Sequence, residues 1–241
     1  MCSQNKKICK WIIYMAVYEK GIETKRRFIL SMYNKLRERD ASTITVREIA
    51  KENNCSPAAL YKHFESLEYL IVLGSIRFFI DYMIEYGQLM DNDDNLMDAY
   101  IQGWMLYNKY AFDRPDLFYR LFWGEYNTLF ADALMEYYEL FPVTGSERYP
   151  AYYYTLLFSD NVIERDFLIL RRAANYNLLS DEDAEYFSKT NTLIVKGMLE
   201  MYMGRDLRER RQGEQECNQL LLKNLEKVYV LEKHRPEGEE G

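Results

Sequence analysis

Thr45 and Ser56 both stand where a helix should start, and only eleven positions separate them. That leaves room for about two turns of helix and one tight turn. Thr45 and Glu48 have the capping-box spacing, in which each side chain satisfies a backbone N–H of the other. Val46, Ile49 and Ala50 follow as an inward stripe, and Asn53-Asn54 ends the helix, since asparagine tolerates the left-handed conformation of a tight turn. Cys55 is a small apolar plug. Ser56-Pro57 then reads as an N-cap followed by proline at the first helical position. Residues Ala58 to Phe64 are expected as a short helix with Leu60 and Phe64 on its buried side, and Ser66 as the cap of a long one through Leu70, Leu73, Ile76, Phe79, Ile80 and Met83. Upstream, Ile22, Phe28, Ile29, Met32, Tyr33 and Leu36 recur at helical intervals, which predicts a helix over 22–40. Two short helices joined by a brief turn have helix-turn-helix geometry, in which the second presents its N-terminal end to the DNA major groove.

The rest of the chain is also expected to be helical. Eleven glycines and five prolines in 241 residues are too few for the turns of a β or doubly wound fold. The pattern predicts helices over 96–112, 115–140, 150–177, 181–204 and 214–232, punctuated by Asp91–Asn95, Asp113-Arg114-Pro115 and Pro142–Gly145. The fold class is therefore all-α, an N-terminal three-helix helix-turn-helix domain followed by a larger helical bundle. The expected divisions are a basic extension over 1–20, the DNA-binding domain over 21–68, a ligand-binding and dimerisation domain over 69–232, and an acidic tail over 233–241. The extension, in which lysines precede Trp11–Val17, has no small-residue cleavage site and reads as an amphipathic helix or a basic arm. No stretch reaches the roughly 18–20 apolar residues of a membrane span, so no membrane partner is expected. Four cysteines at no metal or disulfide spacing read as reduced thiols of a cytoplasmic protein, with no metal and no cofactor.

The net charge of −7 conceals a strong asymmetry. Residues 1–64 hold 13 Lys and Arg against 6 Asp and Glu, or +7, and the remainder holds 18 against 32, or −14. The positive charge is gathered where it can meet phosphates.

The run from Ile44 to Ser66 resembles the DNA-binding signature of the tetracycline-repressor family, in which a TVxxIA helix leads through a turn into SxxxLYxHF and a capped helix. The likeness covers roughly residues 22–80. It implies a homodimeric repressor that binds a palindromic operator in double-stranded DNA and is released by a small-molecule effector. The implied DNA contacts are Thr45 and Ser56 at helix starts, Pro57, Ala58 and Ala59 near the groove floor, Tyr61 and His63 toward phosphates, Lys62 toward a phosphate or guanine edge, and Arg47 on the preceding helix. Tyr61 also fits as packing between helices, and His63 as a core or surface residue without a contact. The chain departs from the family pattern at Leu67, where a phosphate-binding lysine is usual, so Lys6, Lys7 and Lys10 are candidates to replace that contact.

Of 37 aromatic residues, 19 lie between Tyr100 and Phe158. Trp104, Tyr107, Phe122, Trp123, Tyr126 and Tyr153 are the candidates to line a cavity for a flat, apolar or cationic effector, against the alternative of a tyrosine-rich core. Glu125, Asp160, Glu164 and Arg165 are its candidate polar neighbours. A stripe of Ala184, Phe187, Ile194, Met198 and Met201, preceded by Leu156, Ile163, Phe167 and Leu170, is expected at the dimer interface, the alternative being that it faces the chain's own core. An enzyme is not expected. There is no Walker loop, HExxH, GxSxG or cysteine cluster, and His63 and His234 are the only histidines. An activator, or a regulator controlled by a partner protein, fits the same motifs.

Overall fold

In the computed structural model the backbone of residues 2–92 and 95–233 is described, and side chains for 19–92 and 95–226. Among these residues there is no strand. Eleven α-helices follow in order: α1 (Cys2–Glu38), α2 (Val46–Glu52), α3 (Pro57–Leu60), α4 (Leu67–Asn92), α5 (Leu96–Ala111), α6 (Pro115–Phe122), α7 (Asn127–Leu140), α8 (Pro150–Leu157), α9 (Val162–Asn175), α10 (Asp181–Tyr202) and α11 (Leu207–Lys233). One turn of 3-10 helix, Ala41–Thr43, links α1 to α2. No described helix is long and apolar enough to cross a membrane. The chain forms two compact units, one of residues up to Arg77 together with Asp132–Pro142, the other of Phe78–Ala131 and the chain from Val143 onward.

The first unit is built on α1. Phe28, Ile29, Met32 and Leu36 form its buried stripe, and Ile44, Ile49, Ala50, Leu60, Phe64, Leu70 and Leu73 join them in the core. Burying side chains of this size contributes about 1.5–3 kcal/mol each. The last turns of α7 belong to this unit and are tied to it by polar contacts. Lys25 pairs with Glu136, the Tyr69 hydroxyl donates to the same carboxylate at 2.9 Å, and Arg26 Nε donates to the Leu140 carbonyl at 2.7 Å. The helix expected over 22–40 is the second half of one continuous helix that begins at Cys2, so 2–20 is neither a separate helix nor a loose arm. The side chains of Lys6, Lys7 and Lys10, and the tail beyond Lys233, lie outside the described residues.

In the second unit two expected helices are each broken. The span 115–140 divides into α6 and α7 because the chain turns at Gly124, whose N–H bonds to the Tyr119 carbonyl at 2.9 Å. A Cβ there would stand 2.8 Å from the Arg120 Cα, so only glycine fits. The span 150–177 divides into α8 and α9 because Asn161 caps α9, its side chain accepting from the N–H groups of Ile163 and Glu164 at 3.0 and 3.3 Å. The last helix begins at Leu207, seven positions earlier than expected at 214, behind a reciprocal cap between Asp206 and Glu209. α10 packs against α9, α11 and α6. Cys217 of α11 is buried, which pushes its thiol up to about 12 and keeps it protonated.

Candidate nucleic-acid interface and buried cavity

The capping box at the start of α2 is formed in full. Glu48 N–H donates to Thr45 Oγ1 at 3.3 Å, while Thr45 N–H and hydroxyl donate to Glu48 Oε2 at 2.9 and 2.8 Å. These bonds and Arg39, 2.9 Å from the same carboxylate, pull Glu48 down to about 2. Thr45 is exposed, and both its hydroxyl and its N–H donate to the Glu48 carboxylate.

α2 ends as the asparagines foretold. Asn54 adopts φ 55°, and the Cys55 N–H returns to the Ala50 carbonyl at 2.9 Å. Ser56 occupies the N-cap position of α3 with extended backbone, but its side chain makes no capping bond, contrary to expectation. α3 is a single turn rather than a helix through Phe64, and Tyr61–His63 follow as turns in which His63 N–H bonds to the Leu60 carbonyl at 2.9 Å.

This short element divides cleanly into two faces. Leu60 and Phe64 are buried, whereas Ser56, Pro57, Ala58, Tyr61 and Lys62 are exposed, Tyr61 by 53%. Arg47 is exposed on α2, and neither it nor Lys62 makes an ion pair among the described residues. Ala59 and His63 are half-buried. The His63 ring lies 6.1 Å from that of Phe28, and burial, then Lys25 and Lys62, lowers its pKa below the usual histidine value. The lowered value disfavours the imidazolium at this half-buried position. Exposed Tyr61 is not packing between helices.

The second unit holds a cavity of about 30 Å³, lined by Tyr82 and Tyr86 of α4, Tyr100, Gly103, Trp104 and Tyr107 of α5, and Val162, Arg165, Asp166 and Ile169 of α9. Room for two or three waters is what that volume means, at roughly 10–15 Å³ each. Trp104 and Tyr107 were expected here. Phe122 is buried nearby, with its ring 6.4 Å from that of Tyr107, but Phe122, Trp123, Tyr126 and Tyr153 do not line the cavity. Gly103 admits the Tyr86 ring, since a Cβ there would stand 2.7 Å from Tyr86 Cε2.

Asp166 is the lining residue the sequence reading missed. Its Oδ2 accepts from the Tyr100 hydroxyl at 2.8 Å, and that hydroxyl accepts from Trp104 Nε1 and Asn191 Nδ2, each at 2.9 Å. Burial raises the carboxyl well above the usual range. Arg165, next to it in the chain, is committed elsewhere. Nε donates to the Leu156 carbonyl at 3.0 Å, Nη2 to that of Ser159, and the guanidinium lies 4.8 and 5.1 Å from the Phe79 and Phe122 ring centres. The available signal was a carboxylate one turn from Val162 and one turn before Leu170, on an otherwise apolar helical stripe.

The apolar stripe of α10 is also placed differently. Phe187 and Met198 are buried within the chain, with Ala184 and Val195, while Ile194 is half-buried and Met201 is 65% exposed. Phe167 of α9 is half-buried. The outward face of α10 instead carries Tyr186, Leu193, Gly197 and Met201, with open space beside Gly197. No metal-ligating cluster occurs among the described residues.

Comparison with protein-family models, curated proteins and solved structures gives no match.

Proposed function

We propose that the chain is a DNA-binding transcription regulator of the tetracycline-repressor kind, a homodimer whose release from an operator is driven by a small molecule. The observation that carries this reading is the two-sided α2–turn–α3 element. One side is buried in its unit, while Ser56, Ala58, Tyr61, Lys62 and Arg47 face outward, and neither cation makes an ion pair among the described residues. That is the chemistry of a helix-turn-helix, with small residues for close approach, a hydroxyl and a phenol for phosphate oxygens, and cations for phosphates or base edges.

The second copy belongs on the outward face of α10. Tyr186, Leu193 and Met201 there are large apolar groups without cover, at the i, i+7, i+15 spacing of one helical stripe, and Gly197 allows close approach of a symmetry-related helix. An effector in the aromatic cavity would touch Tyr82 and Tyr86 of α4, the helix whose first turns contribute Leu70 and Leu73 to the core beside α3. A ligand that favours a different position of α4 shifts the population away from the DNA-competent arrangement.

The test is binding of purified protein to duplex DNA from its own upstream region across a salt series. Tight binding that weakens steeply with salt is expected. A Tyr61→Ala, Lys62→Ala variant should lose it, and Lys62→Ala alone should lower the salt slope by about one. Genome-wide capture that recovers no preferred sequence, with salt-insensitive binding, would sink the reading.

A further inference from the structure

A larger opening lies in the same unit as the aromatic cavity, on a different face of α9. It is an open cleft of about 450 Å³. Leu168, Arg171, Arg172 and Asn175 line it at the i, i+3, i+4, i+7 spacing of one helical face, together with Tyr149, Tyr152 and Tyr176. No carboxylate is among the lining residues, and no residue lines both openings.

The two arginines stand out against their surroundings. Beyond residue 64 the chain holds 18 Lys and Arg against 32 Asp and Glu. Cations of this unit ordinarily find an acid: Lys109 pairs with Glu85, Arg114 with Asp116, Arg120 with Glu125 and Arg211 with Asp113. Arg171 and Arg172 do not. Among the described residues neither makes an ion pair or donates a hydrogen bond. Arg172 is nevertheless held in place, its guanidinium 4.1 Å from the ring centre of Tyr149 and 5.4 Å from that of Tyr152. Both tyrosines are themselves anchored. The Tyr149 N–H donates to Ser146 Oγ at 2.7 Å, and the Tyr152 hydroxyl donates to the Leu168 carbonyl at 3.2 Å.

Ring contacts of this kind hold a guanidinium by its face and leave the N–H donors along its edge unspent. Such a planar fork matches a carboxylate, which accepts two parallel bonds from it. Arg171, next in the chain and exposed, adds a second positive charge. Tyr176, 64% exposed, and Leu168 supply apolar surface in the same cleft. We infer that this cleft binds an aromatic carboxylate, with the carboxylate on Arg172 and Arg171 and the ring against Tyr176 and Leu168. The volume falls within the roughly 300–1,000 Å³ of small-molecule sites, so a two-ring acid fits. The site goes beyond the regulator reading and does not depend on it.

The experiment is calorimetric titration of the full chain with 2-naphthoate, and with 2-naphthylmethanol and inorganic phosphate as its uncharged and ring-free counterparts. A dissociation constant below about 1 mM is expected for naphthoate, with both counterparts at least about tenfold weaker. Arg172→Gln should cost at least about tenfold in affinity. Arg172→Lys, which keeps the charge and loses the fork, should lose most of the same affinity. Arg171→Gln and Tyr176→Ala should each weaken binding several-fold. Both side chains are exposed, so these two variants decide the matter if Arg172→Gln does not fold. Equal binding of the alcohol, equal or tighter binding of phosphate, naphthoate binding that survives these substitutions, or no naphthoate binding overturns the inference. The titration is made without DNA. Operator binding without naphthoate binding removes this inference only, and naphthoate binding without any preferred DNA removes the regulator reading only.

Discussion

At Thr45 and Glu48 four groups close one helix end, and the consequence is a pH signature. Glu48 is held at about 2 against an ordinary value of 4.5. A carboxyl lowered in the folded state contributes stability that is complete above the unfolded value and is lost as pH falls toward the folded one. Glu48→Gln should therefore flatten the stability profile between pH 4.5 and 2, read by urea unfolding at a series of pH values. An unchanged profile would show that the bonds form only weakly in solution. His63 has the same sign in a higher window. Its lowered pKa means that its contribution is present above 6.5 and falls away below it. The two residues also mark what a sequence conveys at this scale. The capping box was legible from Thr45 and Glu48 three positions apart, but the Arg39 contact that completes it was not. Asp166 was hidden because charged residues on helices usually face water, and only its apolar neighbours one turn away marked it as buried.

Among the elements, the turn between α2 and α3 is the one whose chemistry is most exposed to test. Asn54 holds φ 55°, where a residue with an ordinary Cβ is strained by about 1–2 kcal/mol. Asn54→Ala should lower the unfolding free energy by about 1 kcal/mol, while Asn54→Gly should leave it unchanged or higher. Equal losses for both would mean that the asparagine side chain, not the backbone, matters there. Several local signals of this kind were read correctly, namely the cap at Thr45, the Asn-Asn stop, Ser66 opening α4 and Pro115 opening α6, whereas the cap expected of Ser56 did not form. The breaks at Gly124 and Asn161 were missed because apolar residues continue at helical spacing on both sides. Periodicity reports which residues are buried, and it stays silent where a chain turns yet keeps burying the same face.

For the whole molecule, the division of α10 into two faces makes a prediction that separates self-association from folding. Leu193→Lys with Met201→Lys should yield monomers by sedimentation with little change in the stability of the isolated chain, since both side chains are exposed. Met198→Ala, at a buried site, should instead cost about 2–5 kcal/mol and leave association to follow folding. A wild-type chain that is monomeric at all concentrations would remove the dimer. The stripe was legible in the sequence as helical and apolar; which half of it faced outward was not, because Phe187 and Met198 have the same composition as a surface made to meet another copy.

The share of α7 in the first unit has a consequence for how such a chain can be inherited. Lys25, Arg26 and Tyr69 find their partners at Glu136 and Leu140, more than sixty residues downstream. A gene exchange that replaced only the first seventy-odd codons would deliver those three side chains without the stretch that receives them. Successful chimaeras should therefore carry both segments from one parent, so crossovers that survive selection are expected to come in pairs.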